Sequence, residues 1–254
     1  MNKLVLASVL CAMGSTAMAN PIVNMEDRRN LVQDNGLYGK ADLNISGKSG
    51  NSEKSAYDYS VELRHKQDNV HWLAALAQSY GESSGVKDTD SSFAHVRYVN
   101  YVKTEYAYEV FTQYQQDEFA RLSSRVLLGA GARFEDNTAK RKLAYGVGLF
   151  GEWESIEEKA GTTDAGDYDR VRANLYGSIN MPISNSASWV NTVYAQPDME
   201  DFGNVRLTNK TGIKVDVTKA VKLNFALSVS HISEPMQGLE STDTTYKTGF
   251  SYEF

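Results

Sequence analysis

From Leu37 to Phe254 the chain alternates apolar and polar residues with a period of two almost without a break. Neighbouring side chains on a strand point to opposite faces, so this pattern predicts strands whose two faces differ in chemistry. Leu37, Gly39, Ala41, Leu43 and Ile45 oppose Lys40, Asp42 and Asn44, and Tyr57, Tyr59, Val61 and Leu63 oppose Asp58, Ser60, Glu62 and Arg64. Further on, Leu122, Val126, Leu128, Ala130, Ala132 and Phe134 oppose Arg121, Arg125, Gly129, Gly131 and Arg133. Val171, Ala173, Leu175, Ile179 and Met181 oppose Arg170, Arg172, Asn174 and Ser178. Val205, Leu207, Ile213 and Val215 oppose Arg206, Lys210 and Lys214. The last strand sets Tyr246, Thr248, Phe250, Tyr252 and Phe254 against Lys247, Gly249, Ser251 and Glu253. About twelve strands of roughly ten residues fit between Leu37 and Phe254, the length that crosses a bilayer as a tilted strand.

The predicted connections alternate in length. Gln67-Asp68-Asn69, Lys103-Thr104 and Thr218-Lys219-Ala220 are tight, whereas Glu82 to Asp90, Ser155 to Asp167 and Glu234 to Thr242 are longer. Short turns on one side and longer loops on the other are the mark of an outer-membrane barrel. An even strand count returns both ends to the periplasmic side. The fold class expected is therefore an all-β, transmembrane antiparallel barrel over residues 37–254. A secreted sandwich or lipocalin-like barrel with an aromatic core is the soluble alternative.

Charge decides which face is which. A Lys or Arg turned to the bilayer midplane costs about 2–4 kcal/mol, so the phase holding Arg121, Arg125, Arg133, Arg170, Arg172, Arg206, Lys210 and Lys214 is expected to line the lumen. Asp42, Asp58, Glu62, Glu105 and Glu109 are expected to project inward from the first, second and fifth strands. Opposed basic and acidic walls would set a transverse field across a watery bore. If the groups pair instead, they close it. Tyr57, Trp72, Tyr106, Tyr145, Trp153, Trp189 and Tyr246 read as interfacial aromatic girdles.

The N-terminus reads as a secretory signal peptide over residues 1–19. Lys3 supplies the positive region, Leu4 to Met13 the apolar stretch, and Ala17-Met18-Ala19 the small-x-small site, with cleavage expected after Ala19. Residues 20–36 lack periodicity and read as a periplasmic tail. Cleavage removes the only cysteine, so no disulfide is expected in the mature chain. It also removes Lys3, leaving 25 basic against 32 acidic residues and a net charge of about −7, a balance that argues against nucleic acid as a partner.

Four stretches carry a resemblance. They are Ser49-Gly50-Asn51-Ser52, the run from Arg125 to Arg133, Gln196-Pro197-Asp198 with Asp201-Phe202, and the closing run from Ser233-Glu234-Pro235 through Thr242-Asp243-Thr244-Thr245 to Phe254. Together they resemble the salt-stress-induced outer membrane proteins, a family of uncharacterised Gram-negative barrels. The resemblance implies an outer-membrane location, contact with lipid and lipopolysaccharide, and a role in envelope stress. It brings no substrate, cofactor or catalytic residue. Ending on Tyr252 and Phe254 also resembles the C-terminal signal read by the barrel-assembly machinery.

Other chemistry is weakly signalled. His231 near Ser230, Ser233 and Glu234 is the least implausible base for a barrel hydrolase, yet the flanking residues match no hydrolase motif, and no enzyme is expected. Asp198, Glu200 and Asp201 sit in one loop and offer oxygen ligands for Ca²⁺ or Mg²⁺, although acidic loops more often only stay solvated; no metal and no cofactor is expected. Gly129, Gly131, Gly146 and Gly148 read first as aids to curvature, and second as space for a solute or for an infolded loop from Ser155 to Asp167. The functional expectation is a narrow passive pore for small solutes or ions. A closed structural barrel is the alternative.

Overall fold

The computed structural model describes residue 26 and residues 35–50, 53–138, 140–218 and 221–252. The expected signal peptide and Phe254 lie outside the described residues, as does most of the expected tail.

Twelve strands form one antiparallel sheet in strict sequence order. They are β1 (Gly36–Lys48), β2 (Lys54–Gln67), β3 (Val70–Ser83), β4 (Val86–Lys103), β5 (Tyr106–Asp117) and β6 (Leu122–Thr138). They continue as β7 (Arg141–Ile156), β8 (Gly166–Ser184), β9 (Ala187–Pro197), β10 (Val205–Asp216), β11 (Val221–Ile232) and β12 (Thr242–Tyr252). Every strand pairs with its neighbour in the chain, the simplest path for a meander. Rungs between β12 and β1 do not occur among the described residues, so the barrel's seam lies between its first and last strands. The sheet is strongly curved, since Arg121, between β5 and β6, donates to the carbonyl of Gln237 between β11 and β12 at 3.2 Å.

The polarity of the molecule is inverted relative to a soluble protein. Leu43, Ile45, Leu76, Leu128, Val147, Leu149 and Phe225 are exposed, while Glu109, Glu152, Arg125, Arg172 and Arg206 are buried. Only an apolar solvent outside makes that arrangement favourable. No helix among the described residues is long and apolar enough to cross a membrane, and the strands do the crossing. At the end carrying the short turns, the outer aromatic rings form a belt. Trp72 lies 4.9 Å from Tyr98, Tyr98 6.1 Å from Tyr108, and Phe134 5.2 Å from both Tyr106 and Tyr145. Such amphipathic rings settle at a lipid headgroup boundary.

Three details differ from the sequence reading. Glu82 to Asp90 is no long loop. Strands β3 and β4 extend to a two-residue turn at Ser84-Gly85, whose φ angles of 52° and 76° match the twist of the flanking strands. Leu122 faces inward at 2% exposure, because a register shift between Leu122 and Ser124 inserts an extra residue and flips its phase. Arg121 precedes β6 altogether and closes a short 3₁₀ turn (Glu118–Ala120).

That turn organises the end carrying the longer loops. Arg121 sits at φ 58°, a conformation unusual outside glycine, and its guanidinium holds several groups at once. It donates to the Glu157 carbonyl at 2.9 Å and to Thr162 at 2.9 Å, and it pairs with Asp164 at 2.8 Å. Asp164 in turn accepts from the Gln237 amide at 2.7 Å. The β7–β8 and β11–β12 loops therefore meet over the mouth. The Arg121 hydrogen bond holds the Asp164 carboxyl at about 2. Because the folded value is depressed, this contact contributes fully above the ordinary aspartate value and is lost as pH falls through about 2. Asp164→Asn is expected to speed protease cleavage within residues 157–165 at neutral pH, whereas the wild type becomes equally sensitive, to pepsin, only near pH 2. Equal cleavage of both proteins at neutral pH would contradict the latch.

Candidate functional site: the charged lumen

The inward faces of β4 to β10 fill the bore in layers. Nearest the loops, β6, β7, β8 and β10 each begin or end with inward charged residues, and the barrel's curvature brings these four strands' charges together. Glu152 and Glu154 on β7 lie at the centre. Arg172 donates to Glu152 at 2.9 Å, Arg170 to Glu154 at 3.0 Å, and Arg206 to Glu154 at 2.8 Å and also to Glu152. Arg125 binds Glu154 and lies 3.7 Å from Glu152. Arg172 also donates to the Asn204 carbonyl at 3.1 Å and to the Asn204 side chain at 2.8 Å, tying the cluster to the β9–β10 loop. Glu152 is 0% exposed and Arg172 1%. Four guanidiniums face these two carboxylates, with Asp198 at 3.5 Å from Arg170 as a third at the edge. Counted over these seven side chains there is one more positive than negative charge, with the buried Asp117 carboxylate of β5 also in the field of Arg125.

Below it, aromatic and aliphatic side chains mix with buried polar ones such as His95, Gln113 and Thr192. Phe111, Leu127 and Phe150 pack together, and the Tyr176 ring lies tilted against that of Tyr194 at 5.5 Å. The strand glycines exist for these rings. A Cβ on Gly129 would meet the Phe111 ring at 2.6 Å, and one on Gly146 would strike the Tyr176 ring. Gly131 and Gly148 instead let the β6 and β7 backbones approach, since a Cβ on Gly131 would meet the Val147 carbonyl at 2.8 Å. Part of the expected space is therefore real, and aromatic side chains occupy it.

Nearer the short turns, Arg97 pairs with Glu109 at 3.2 Å, and Tyr176 donates to Glu109 at 3.1 Å. Arg133 donates to Glu135 at 2.7 Å and to both oxygens of Glu26 at 2.9 and 2.8 Å. A cavity of about 560 Å³ opens at this end, lined by Arg64, Lys66, His71, Arg97, Arg133 and Lys142 among others.

These positions correct the picture of two opposed walls. Arg125, Arg133, Arg172 and Arg206 are buried and Arg170 largely so, and a carboxylate accompanies each of them, because desolvated charges need partners. Glu109 and Glu62 face inward and pair with Arg97 and Arg64. Asp42 lies on β1 beside Lys40 at 2.7 Å, and Asp58 lies in the inward phase of β2 opposite Asn44. Lys210 and Lys214 keep the inward phase of β10. Glu105 is not on a wall at all. It sits exposed in the β4–β5 turn, where its carbonyl accepts from the Glu135 amide at 2.9 Å.

The other candidate chemistry is dispersed. Ser230 and His231 fall on opposite faces of β11, where Ser230 meets Thr208 at 3.3 Å and His231 meets Thr242 at 2.9 Å. Asp198 and Asp201 accept backbone amides of their own loop, at 2.9 Å in each case. Among the described residues no three His, Cys, Asp or Glu are grouped to hold a metal ion.

Comparison with known proteins places the chain. Solved structures with a similar arrangement include the NanC porin (13% identity, TM-score 0.49, covering 84% of this chain and 100% of that one). The translocator domain of the autotransporter NalP from Neisseria meningitidis is similar at 14% identity, TM-score 0.47, covering 91% and 92%. The KdgM porin is similar at 12% identity, TM-score 0.41, covering 86% and 99%. These are weak likenesses of architecture, and nothing about solute or assembly is transferred from them. No curated protein matches the chain in sequence. Residues 41–254 match the family model described as "Protein of unknown function, DUF481", and the chain belongs to that family.

Proposed function

We propose that the chain is an outer-membrane barrel acting as a narrow passive pore for small solutes, with a preference for anions. In this reading the precursor is exported by its N-terminal signal, cleaved after Ala19, and inserted by the barrel-assembly machinery acting on the C-terminal strand. Lipid and lipopolysaccharide then surround the apolar exterior, and the barrel needs no cofactor and catalyses no reaction.

The observation that carries the proposal is the guanidinium excess at the level where the bore is most filled. Arg125, Arg170, Arg172 and Arg206 outnumber Glu152, Glu154 and Asp198. Fixed positive charge in a low-dielectric constriction favours anions over cations of the same size. The opposite wall supports a path only in part, because the inward phase of β11, β12, β1 and β2 sets short groups such as Ser228, Gly249, Asn44 and Ser60 among Asp42, Asp58, Glu62 and Arg64.

A second reading is favoured by one observation, the complete burial of Glu152 under bonds that join β7 to β10 across the bore. It is a closed barrel that stiffens the envelope under osmotic stress, in keeping with the salt-stress resemblance. Bilayer conductance of the refolded mature chain separates the two readings.

A further inference from the structure

We propose that Arg133 is the anchor of a carboxylate-binding site at the inner end of the turn-side cavity, and that the chain's own Glu26 fills this site in competition with a carboxylate-bearing solute. The inference deepens the reading of the bore as a solute path and rests on it.

Glu26 comes from a segment with no β periodicity, more than a hundred residues from its partner in sequence, yet it is only 2% exposed. Both of its oxygens lie on one Arg133 nitrogen, at 2.9 and 2.8 Å. A buried carboxylate is tolerated only where donors compensate its lost hydration, so the position is already built for that group. Arg133 is held for the purpose. Its Nε donates to Glu135 at 2.7 Å, its Nη1 lies 3.2 Å from the Tyr176 hydroxyl, and its guanidinium lies 5.8 Å from the centre of the Tyr176 ring.

The surroundings extend the site beyond a single ion pair. The adjoining cavity of about 560 Å³ falls within the size range of small-molecule sites. Arg64, Lys66, Arg97, Lys103 and Lys142 line it, against Asp68 and Glu135. Arg64 is itself buried and pairs with Glu62, so its guanidinium is a fixed positive charge at the cavity wall. An anion entering from the short-turn end meets this basic lining first and the Glu26 position last. Glu26 then acts as a built-in competitor. Whatever fraction of the time it leaves Arg133 sets the apparent affinity for the solute.

The test uses isothermal titration of gluconate into the refolded mature barrel in detergent micelles, with neutral sorbitol as control. Folding is verified by heat-modifiable gel migration. Glu26→Gln is expected to tighten gluconate binding about tenfold, as removal of a competitor that holds the site nine-tenths of the time would do. Adding Arg133→Gln is expected to abolish it, and Arg133→Lys to restore part of it. Sorbitol is expected not to bind any of them. Equal affinity in wild type and Glu26→Gln, or undiminished binding after Arg133→Gln, would overturn the proposal. Gluconate binding by a barrel that never conducts would overturn the pore reading alone, and a conducting barrel that never binds gluconate would overturn this inference alone.

Discussion

Glu152→Ala is expected to destabilise the refolded barrel by about 3–5 kcal/mol, the range for breaking a buried ion pair by removing one partner. The size follows from what remains. Glu152 is fully buried and meets Arg172 and Arg206 directly, with Arg125 at 3.7 Å. Its loss leaves Glu154 and the edge carboxylate of Asp198 to balance four guanidiniums around a fully buried position. Glu152→Gln keeps the volume and some hydrogen bonds, so its cost is expected to fall between wild type and alanine. Urea-dependent unfolding in lipid vesicles, followed by tryptophan fluorescence, measures both. A change below about 1 kcal/mol in the alanine variant, the scale of an exposed pair, would mean that water fills the cluster and that the bore is wide there.

Neutralising Arg125, Arg172 and Arg206 together, each to Gln, is expected to reverse the ion preference of the pore from anions to cations. Around Glu152, Glu154 and Asp198 the substitution turns an excess of one positive charge into an excess of two negative ones. Removing only Arg170, which bridges Glu154 and Asp198 at the cluster's edge, is expected to shift the preference toward neutrality without reversing it. Reversal potentials under a KCl gradient read both variants. An unchanged potential in the triple variant would place selectivity elsewhere, in the basic lining around Arg64 and Lys142. Glu152→Gln added to the triple variant relieves the carboxylate repulsion and keeps the test available if the triple variant assembles poorly.

Strand existence and phase were legible in the sequence because a barrel in lipid must alternate without interruption, as the β6, β8 and β10 arginines do. Local irregularity hid the exceptions. One extra residue near Ser124 turns Leu122 inward, a two-residue turn converts the expected Glu82–Asp90 loop into strand, and a 3₁₀ turn takes Arg121 off the wall. The partners of the arginines were harder to read. Glu152 and Glu154 share the inward phase of β7 with Gly146 and Gly148, which is a usable signal. That they meet Arg206, three strands away, depends on the barrel's radius, and no period along the chain encodes a radius. Phe111 and Phe150 stand in the polar phase and were invisible to a rule that sends aromatic rings outward. Gly129, opposite both of them, was the trace they left, as Gly146 was for Tyr176. Glu26 lies in a segment without any pattern, so its place on Arg133 had no precursor in the alternation.

The measurement that tests the central claim most directly is single-channel recording of the refolded, mature wild-type chain in a planar bilayer under a KCl gradient. A narrow bore with a guanidinium excess predicts small discrete steps and a reversal potential displaced toward the chloride equilibrium value. A verified folded barrel that gives no steps, or a reversal potential on the potassium side, would contradict it.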